Sequence, residues 1–487
     1  YHYVIGMGIE QFASNALFIS VKDSASASPV VVTNPTSRVV ASGSALLEVT
    51  AVDTMTGRDD TLTYKWYRSR DGVSWYTTGD VSRTVPAAAA GFVYKCLVKG
   101  LSGQTEGTFS GTAFVRALST LVGKHVGILQ NANVDYGTTG VPKVPGRLTL
   151  DVTSTGLFSG RLEYEGVAYS LSGDILAATT GLTFTVSRTA PQGAVTLGLG
   201  FNGLLGGITA SAAHVIGGVD VVSASSLEMA LTTLPTVSQG VFGAAFAPVG
   251  ASVVSTVSGL DKAMPILQVT TGSTGTVTYT GRMADGVSVS GSGSLITDAS
   301  GRMVAPVFAS MYGVYPYAGQ LAGSLVLTPS SAVKVTGDLE WRKPDLTRWS
   351  TTAQKGTYLR GAVAAYQVIP EATTFSSTGF TGSFKADGVW YAVTFTSSQW
   401  DTGTQFSFRT STTTSASNYS GNVLGLSGAT TEGLTGLIYS KPGGTISLNY
   451  IRNGRINYGY GLMFPGGKVY GFLMVDDAVG SAAWWAQ

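Results

Sequence analysis

The chain has 487 residues, too many for one hydrophobic core, and at ~100–200 residues per domain it predicts three or four folding units. Only 12% of the residues are charged, about half the usual ~25%, and the formal net charge is +2 with Lys and Arg scattered, which leaves no electrostatic footprint for nucleic acid or an acidic surface. An apolar fraction of 44% excludes wholesale disorder, while 64 glycines and abundant Ser, Thr, Val and Tyr predict an all-β chain, because turns take glycine and strands take β-branched and aromatic residues.

No stretch of about 18 apolar residues runs without polar interruption, so no membrane-spanning helix is expected. The segments are irregular in length and lack aromatic girdles, which argues against an outer-membrane barrel. The chain begins at Tyr1 rather than Met and reads as a processed or truncated chain, whose export signal, if it had one, is already gone. Its single cysteine cannot form an internal disulfide.

Residues 1–28 read as an N-terminal arm and linker, an apolar stretch through Val21 followed by the small polar run Ser24 to Ser28. Extended at ~3.3 Å per residue, about 20 residues reach roughly 65 Å, far enough to lie across a neighbouring subunit. The expected assembly contacts are Tyr3, Val4, Ile5, Phe12, Leu17 and Phe18. Adding such a strand to a neighbour's open sheet edge would satisfy its apolar side chains and its backbone together. The competing reading makes the segment the first strand of the adjoining domain.

Residues 29–117 carry three local patterns: Tyr64-Lys65-Trp66-Tyr67, Tyr94-Lys95-Cys96, and Ala89-Ala90-Gly91 just before the second. Together they resemble an immunoglobulin-like domain. The resemblance implies strand C around Trp66, strand F with a tyrosine corner at Tyr94, two residues before Cys96, an E–F corner at Ala89 to Gly91, and strand B over Leu46 to Val52. The cysteine that the family places on strand B is absent, so Cys96 is expected as a buried thiol in a core with Trp66 and Tyr94. Arg70-Asp71-Gly72 with Trp75 reads as the C–C′ turn, not as an adhesion tripeptide. Domains of this kind bind, space or adhere far more often than they catalyse.

The rest divides into three Gly-rich β-units, residues 118–234, 235–357 and 358–487, each carrying a version of one hairpin: Gly156 to Gly173, Gly275 to Ser292 and Gly379 to Thr396. In each, a Ser-Gly or Thr-Gly step (Gly160, Gly281, Gly382) precedes an acidic-Gly pair: Glu165-Gly166, Asp285-Gly286 or Asp387-Gly388. Such pairs predict type I′ turns, which need positive φ at both central residues. Further strands are expected at Gly319 to Leu327, at Gly337 to Trp341 closing the second unit, and at Ile446 to Tyr450, Arg455 to Leu462 and Lys468 to Val475, around the turns Asn453-Gly454 and Gly466-Gly467. The expected fold is an N-terminal sandwich followed by tandem antiparallel sandwich or barrel-like units. This turn punctuation resembles the Gly-rich β-repeat regions of large secreted bacterial surface proteins, which frequently carry immunoglobulin-like modules.

Catalytic patterns are few. His125 and His214, the only histidines besides His2, are about 90 residues apart with no acidic or Cys companions at ligand spacing, so no metal site is expected. Gly198 to Gly207 lacks the Lys and Ser or Thr of a phosphate loop, and Gly291-Ser292-Gly293 lies inside a strand. Glu340, Asp387 and Asp401 are the candidate members of a glycosidase-type carboxylate pair, although a turn explains Asp387 and a loop explains Asp401. Aromatic clusters stand out more: Tyr312, Tyr315 and Tyr317; Trp341 and Trp349; Trp390, Tyr391 and Trp400; Trp484 and Trp485. Exposed, they would be sugar-stacking or interface platforms; buried, they fill β cores. The expectation is a non-enzymatic structural or adhesive protein of the extracellular space or cell surface, without cofactor. Its partners would be copies of itself, as an oligomer or polymer, or a surface polysaccharide. The alternative is a carbohydrate-binding or carbohydrate-active secreted protein.

Overall fold

Alternation of side chains across strands builds nearly everything described: in Ser44–Glu48, Ala45 and Leu47 are buried while Ser44, Leu46 and Glu48 are exposed. The computed structural model describes residues 4–7, 10–13, 28–54, 61–100, 107–132, 134, 142–178, 181–188, 193–201, 208–216, 219–248, 264–284, 286–312, 319–328, 335–342, 358–367, 380–386, 389–395, 400–402, 405–409, 423–424, 433–440, 445–452, 455–463, 469–475 and 478–480. Among them the fold is all-β.

Strands β1 (Val4–Met7) and β2 (Glu10–Ala13) pair with each other, Met7 opposite Glu10. This corrects the extended arm over that stretch: the chain doubles back, so the ladder satisfies its own backbone and the reach is shortened. Val4, Ile5 and Phe12 lie in this hairpin, whereas Tyr3, Leu17 and Phe18 fall outside the described residues.

The next body contains β3 (Val30–Thr33), β4 (Arg38–Val40), β5 (Ser44–Glu48), β6 (Thr50–Val52), β7 (Thr63–Ser69), β8 (Tyr76–Thr77), β9 (Thr84–Ala89), β10 (Phe92–Lys99), β11 (Gly107–Phe109) and β12 (Ala113–Ala117). One sheet runs β4-β12-β10-β7-β8 with β11 also on β10, and the pairs β3-β6 and β5-β9 close the other side of the core. The single strand expected over Leu46 to Val52 is corrected to two. The ladder shifts register after Ala45, and at Val49 the chain changes partner, β5 lying on β9 and β6 on β3. The even spacing of Ala45, Leu47, Val49 and Ala51 still sends all four into the core.

A 3₁₀ turn, Leu118–Thr120, leads into β13 (Gly123–Leu129), β14 (Gly146–Val152), β15 (Leu157–Tyr164), β16 (Val167–Asp174), β17 (Leu182–Val186), β18 (Val195–Gly200), β19 (Ile208–Ile216) and β20 (Val219–Met229). Their order, β16-β15-β14-β13-β20-β19-β18-β17, puts the first strand beside the last, a barrel-like meander left open only between β16 and β17. Strands β21 (Gly240–Pro248), β22 (Ile266–Thr271), β23 (Thr276–Arg282), β24 (Ser288–Ser294), β25 (Ile296–Thr297), β26 (Met303–Met311), β27 (Gly319–Leu327), β28 (Val335–Arg342) and β29 (Tyr358–Gln367) repeat that circular plan. Strand β29 corrects the boundary at residue 357: it pairs with both β28 and β21, so Tyr358–Gln367 and not Gly337 to Trp341 closes the second unit.

The remaining strands are β30 (Phe380–Ala386), β31 (Val389–Phe395), β32 (Trp400–Thr402), β33 (Gln405–Arg409), β34 (Val423–Leu424), β35 (Gly433–Ser440), β36 (Thr445–Arg452), β37 (Arg455–Met463), β38 (Val469–Val475) and β39 (Ala478–Gly480). They form the sheets β30-β31-β34 and β32-β33-β35-β36-β37-β38-β39.

The repeated hairpin occupies one topological place, third and fourth strands of the meander, in both barrels. Its recurrent glycine has a steric cause. A Cβ at Gly160 would lie 2.8 Å from the Thr149 carbonyl oxygen, and one at Gly281 would lie 2.0 Å from that of Ile266, so only glycine lets the adjacent strand approach. In the first turn Tyr164 faces Val167, and Glu165 (φ 48°) and Gly166 (φ 81°) both take the positive values of a type I′ turn. The second turn corrects that expectation. Its strands part at Arg282 and Ser288, Gly286 N–H donates to Met283 O at 2.8 Å, and Met283 N–H donates to Val287 O at 2.9 Å. Gly286, at φ 78°, is therefore the last of the four residues of the turn that begins at Met283, in the bulge position, and is not one of its central residues. Asp285, Asp387 and Gly388 lie outside the described residues, with Ala386 facing Val389 across the last pair.

Candidate functional site: the junction between the barrels

Strand β14 begins at a crowded point, because Gly146 leaves no room for a side chain against the Glu163 carbonyl, 2.3 Å from where its Cβ would be. The residues around it turn toward the second barrel. Val144 N–H donates to Glu340 Oε2 at 2.7 Å, and Gln320 Nε2 donates to Val144 O at 2.6 Å. Arg147 reaches both ways: Nε and one terminal nitrogen lie 2.7 and 2.6 Å from Glu163 Oε2, while the other terminal nitrogen donates to Ser292 O at 2.9 Å and Pro306 O at 3.4 Å. Ser310 Oγ donates to Gly166 O at 2.6 Å, so the turn of the repeated hairpin is itself held by the neighbouring barrel. Apolar contacts fill the spaces between: Val126 with Ile296 and Val304, and Val144 with Phe308 and Ala322. Backbone bonds from Ala230 to Lys124 O and from Leu231 to Leu295 O continue the connection.

Beside this junction lies a buried polar cluster. Tyr164 and His214 meet at 2.9 Å through the hydroxyl and Nδ1, His214 Nε2 lies 3.4 Å from Glu165 Oε1, and Arg188 donates to Glu165 Oε2 at 2.7 Å. Burial lowers the His214 pKa, with the Glu165 carboxylate opposing it, so the neutral imidazole accepts from Tyr164 and donates toward Glu165. Burial raises the Tyr164 pKa, keeping it a donor. His125, whose Nε2 lies 2.8 Å from Leu121 O, is likewise lowered by burial. Both histidines thus bind fewer protons folded than unfolded below their ordinary pKa of about 6.5. Stability should be level above that pH and fall as acid protonates the unfolded chain preferentially. Thermal melts from pH 8 down to 5 check this, and a melting temperature unchanged below 6.5 would show that neither histidine is held neutral.

The sequence-derived positions scatter. Glu340 is fully buried at the barrel junction, while Asp401 lies in a strand rather than the expected loop and Asp387 is outside the described residues. Of the two readings of the aromatic clusters, Trp341 takes the core one: it is 2% exposed in the second core, and its Nε1 donates to Tyr312 Oη at 2.8 Å. Tyr315, Tyr317, Trp349, Trp484 and Trp485 lie outside the described residues. The sequence missed the junction altogether, since Arg147, Gln320 and Glu340 are far apart in the chain and belong to no motif. Among the described residues no group of three His, Cys, Asp or Glu could hold a metal ion, and no helix is long and apolar enough to cross a membrane.

In the N-terminal body Trp66 and Cys96 sit opposite each other on β7 and β10, both fully buried; Trp66 Nε1 donates to Ser82 O at 2.9 Å and Tyr94 Oη to Ala89 O at 3.2 Å. Burial pushes the Cys96 thiol up to about 12, which removes the reactive thiolate at neutral pH. Cys96 should therefore resist a chromogenic disulfide reagent at pH 8 until denaturant is added, and stoichiometric reaction within minutes of mixing the native chain would overturn its placement. Compared with known protein families, curated proteins and solved structures, the chain has no match.

Proposed function

We propose that this chain is a non-enzymatic structural or adhesive protein of a cell surface or the extracellular space. Its paired barrels form a fixed stalk, and its N-terminal body is an immunoglobulin-like module that projects or bridges. The observation that carries this reading is the junction: buried polar groups that a catalytic protein would aim into a cleft are here directed at a neighbouring module, as with Arg147, Gln320 and Glu340. Side chains also fill the barrel interiors, with Leu148, Leu162, Leu197 and Ile208 in the first and Leu267, Leu321 and Trp341 in the second. The tyrosine contact to Ala89 and the Trp66–Cys96 pair support the immunoglobulin-like reading of the first body.

Self-assembly through residues 1–28 docking on a neighbouring copy belongs to the same proposal. Sedimentation and negative-stain imaging of the full chain test it. Concentration-dependent polymers that disappear when residues 1–27 are deleted, with the melting transitions retained, are the expected result. A full chain that stays monomeric at high concentration, or a truncated chain that still polymerises, sinks the assembly reading.

A further inference from the structure

We infer that the outward face of the sheet formed by β7, β8, β10 and β11 binds an acidic polysaccharide. Strand parity puts Lys65 and Tyr67 of β7 and Lys95, Leu97 and Lys99 of β10 on this face, opposite the core residues Trp66, Cys96 and Val98. Register then brings Lys95 beside Tyr67, and Leu97 beside both Lys65 and Phe109. The Lys95 ammonium lies 4.0 Å from the Trp75 ring centroid and 4.5 Å from that of Phe109, held between two aromatic rings. Lys65 lies 5.5 Å from the Tyr67 ring, which meets Phe109 at 5.9 Å with a 62° tilt. Phe109 is 50% exposed.

Ring contacts of this kind contribute about 0.5–1 kcal/mol at exposed sites, enough to orient an ammonium while leaving its charge unneutralised. None of the strand residues of this sheet between Thr63 and Ser69, Phe92 and Lys99, or Gly107 and Phe109 is acidic. Asp71, in the turn before Trp75, is engaged by Ser69 and by the N–H groups of Val73 and Ser74. Three lysines with no carboxylate partner among the described residues make the face locally cationic on a chain whose net charge is only +2. The scattered positions gave no sign of this in the sequence, because the sheet alone brings residues 65, 95 and 99 together.

An anionic occupant follows from the charge, and its class from the shape. The patch holds about six side chains, against 20–30 residues a side in a standard protein interface. A flat face of rings beside ordered ammonium groups suits a sugar polymer, whose C–H faces stack on the rings while its carboxylates meet the lysines. Single-stranded nucleic acid, which needs a basic groove following its backbone, fits three lysines on a flat sheet less well.

The inference deepens the adhesive part of the proposed function but does not require polymerisation: a monomer that binds, or a polymer that does not, separates the two. Affinity electrophoresis of the full chain through gels containing alginate, neutral dextran, polyglutamate or oligo(dT) tests it. Alginate alone should retard the chain. The double variant Lys65→Ala/Lys95→Ala should lose about tenfold or more of that affinity, the size of losing hydrogen bonds to a charged group, with Lys65→Gln/Lys95→Gln as a shape-preserving second variant. The exposed Lys124→Ala on the first barrel should change nothing. Absence of retardation by alginate, equal retardation by polyglutamate or oligo(dT), or equal loss with Lys124→Ala would overturn the assignment.

Discussion

Replacing Arg147 by alanine is expected to destabilise the paired barrels by about 3–5 kcal/mol, the cost of breaking a buried ion pair and leaving its partner uncompensated. The side chains of Arg147 and Glu163 are only 11% and 13% exposed. Without Arg147, Glu163 retains among the described residues only Arg161, at 3.4 Å and 64% exposed, and the carbonyls of Ser292 and Pro306 lose this donor. Because those carbonyls belong to the second barrel, the loss should also uncouple the units. Calorimetry of the full chain should resolve barrel transitions that coincide in the unmodified protein. Arg161→Ala is the comparison, worth at most about 1 kcal/mol as an exposed pair. If both variants melt alike, the junction contributes nothing special.

Trp66→Ala should cost a similar amount, about 3–5 kcal/mol, through the cavity it leaves in the N-terminal body. That is a large share of the ~5–15 kcal/mol that holds a typical domain together. Trp66 is fully buried in a cluster with Leu47, Val49, Tyr94, Cys96 and Val98, separate from the barrel cores. Limited proteolysis of the full chain should therefore cut first within residues 28–117, while the barrel transitions stay in place. Trp66→Phe keeps most of the packing but loses the Nε1 bond to Ser82 O, so it should fall between, about 1 kcal/mol from the original for that bond. Barrels that melt earlier in Trp66→Ala would contradict the separation of the cores.

These two residues were legible in the sequence to different degrees. Trp66 was marked by the resemblance of Tyr64-Lys65-Trp66-Tyr67 to strand C of an immunoglobulin-like domain, and Cys96 as a cysteine with no possible partner. Arg147 looked like any other arginine. Nothing local distinguishes an arginine that reaches across to a second barrel from one, such as Arg161, that faces solvent. Glu340 shows the same blindness: it read as a candidate acid, yet its position fully buried against Val144 N–H is set by where β28 lies beside β14's approach.

By itself the sequence determined the all-β class, the strand alternation and the recurring hairpin, because these depend on period-two side-chain placement and on turn chemistry within a few residues. It also placed Glu165-Gly166 in its turn, since positive φ at two adjacent positions is a local demand. Only the tertiary structure decided how the strands close on themselves. Pairing β13 with β20 and β21 with β29 joins residues more than 100 positions apart, and no local signal records such a choice. That closure moved Tyr358–Gln367 into the second unit and placed Trp341 in a core rather than on a platform. It likewise explained Gly160 and Gly281, whose missing side chains answer to the backbone of the next strand rather than to their own conformation. Charge followed the same division: net charge is a property of composition, whereas a cationic face exists only once a sheet has brought Lys65, Lys95 and Lys99 to one side.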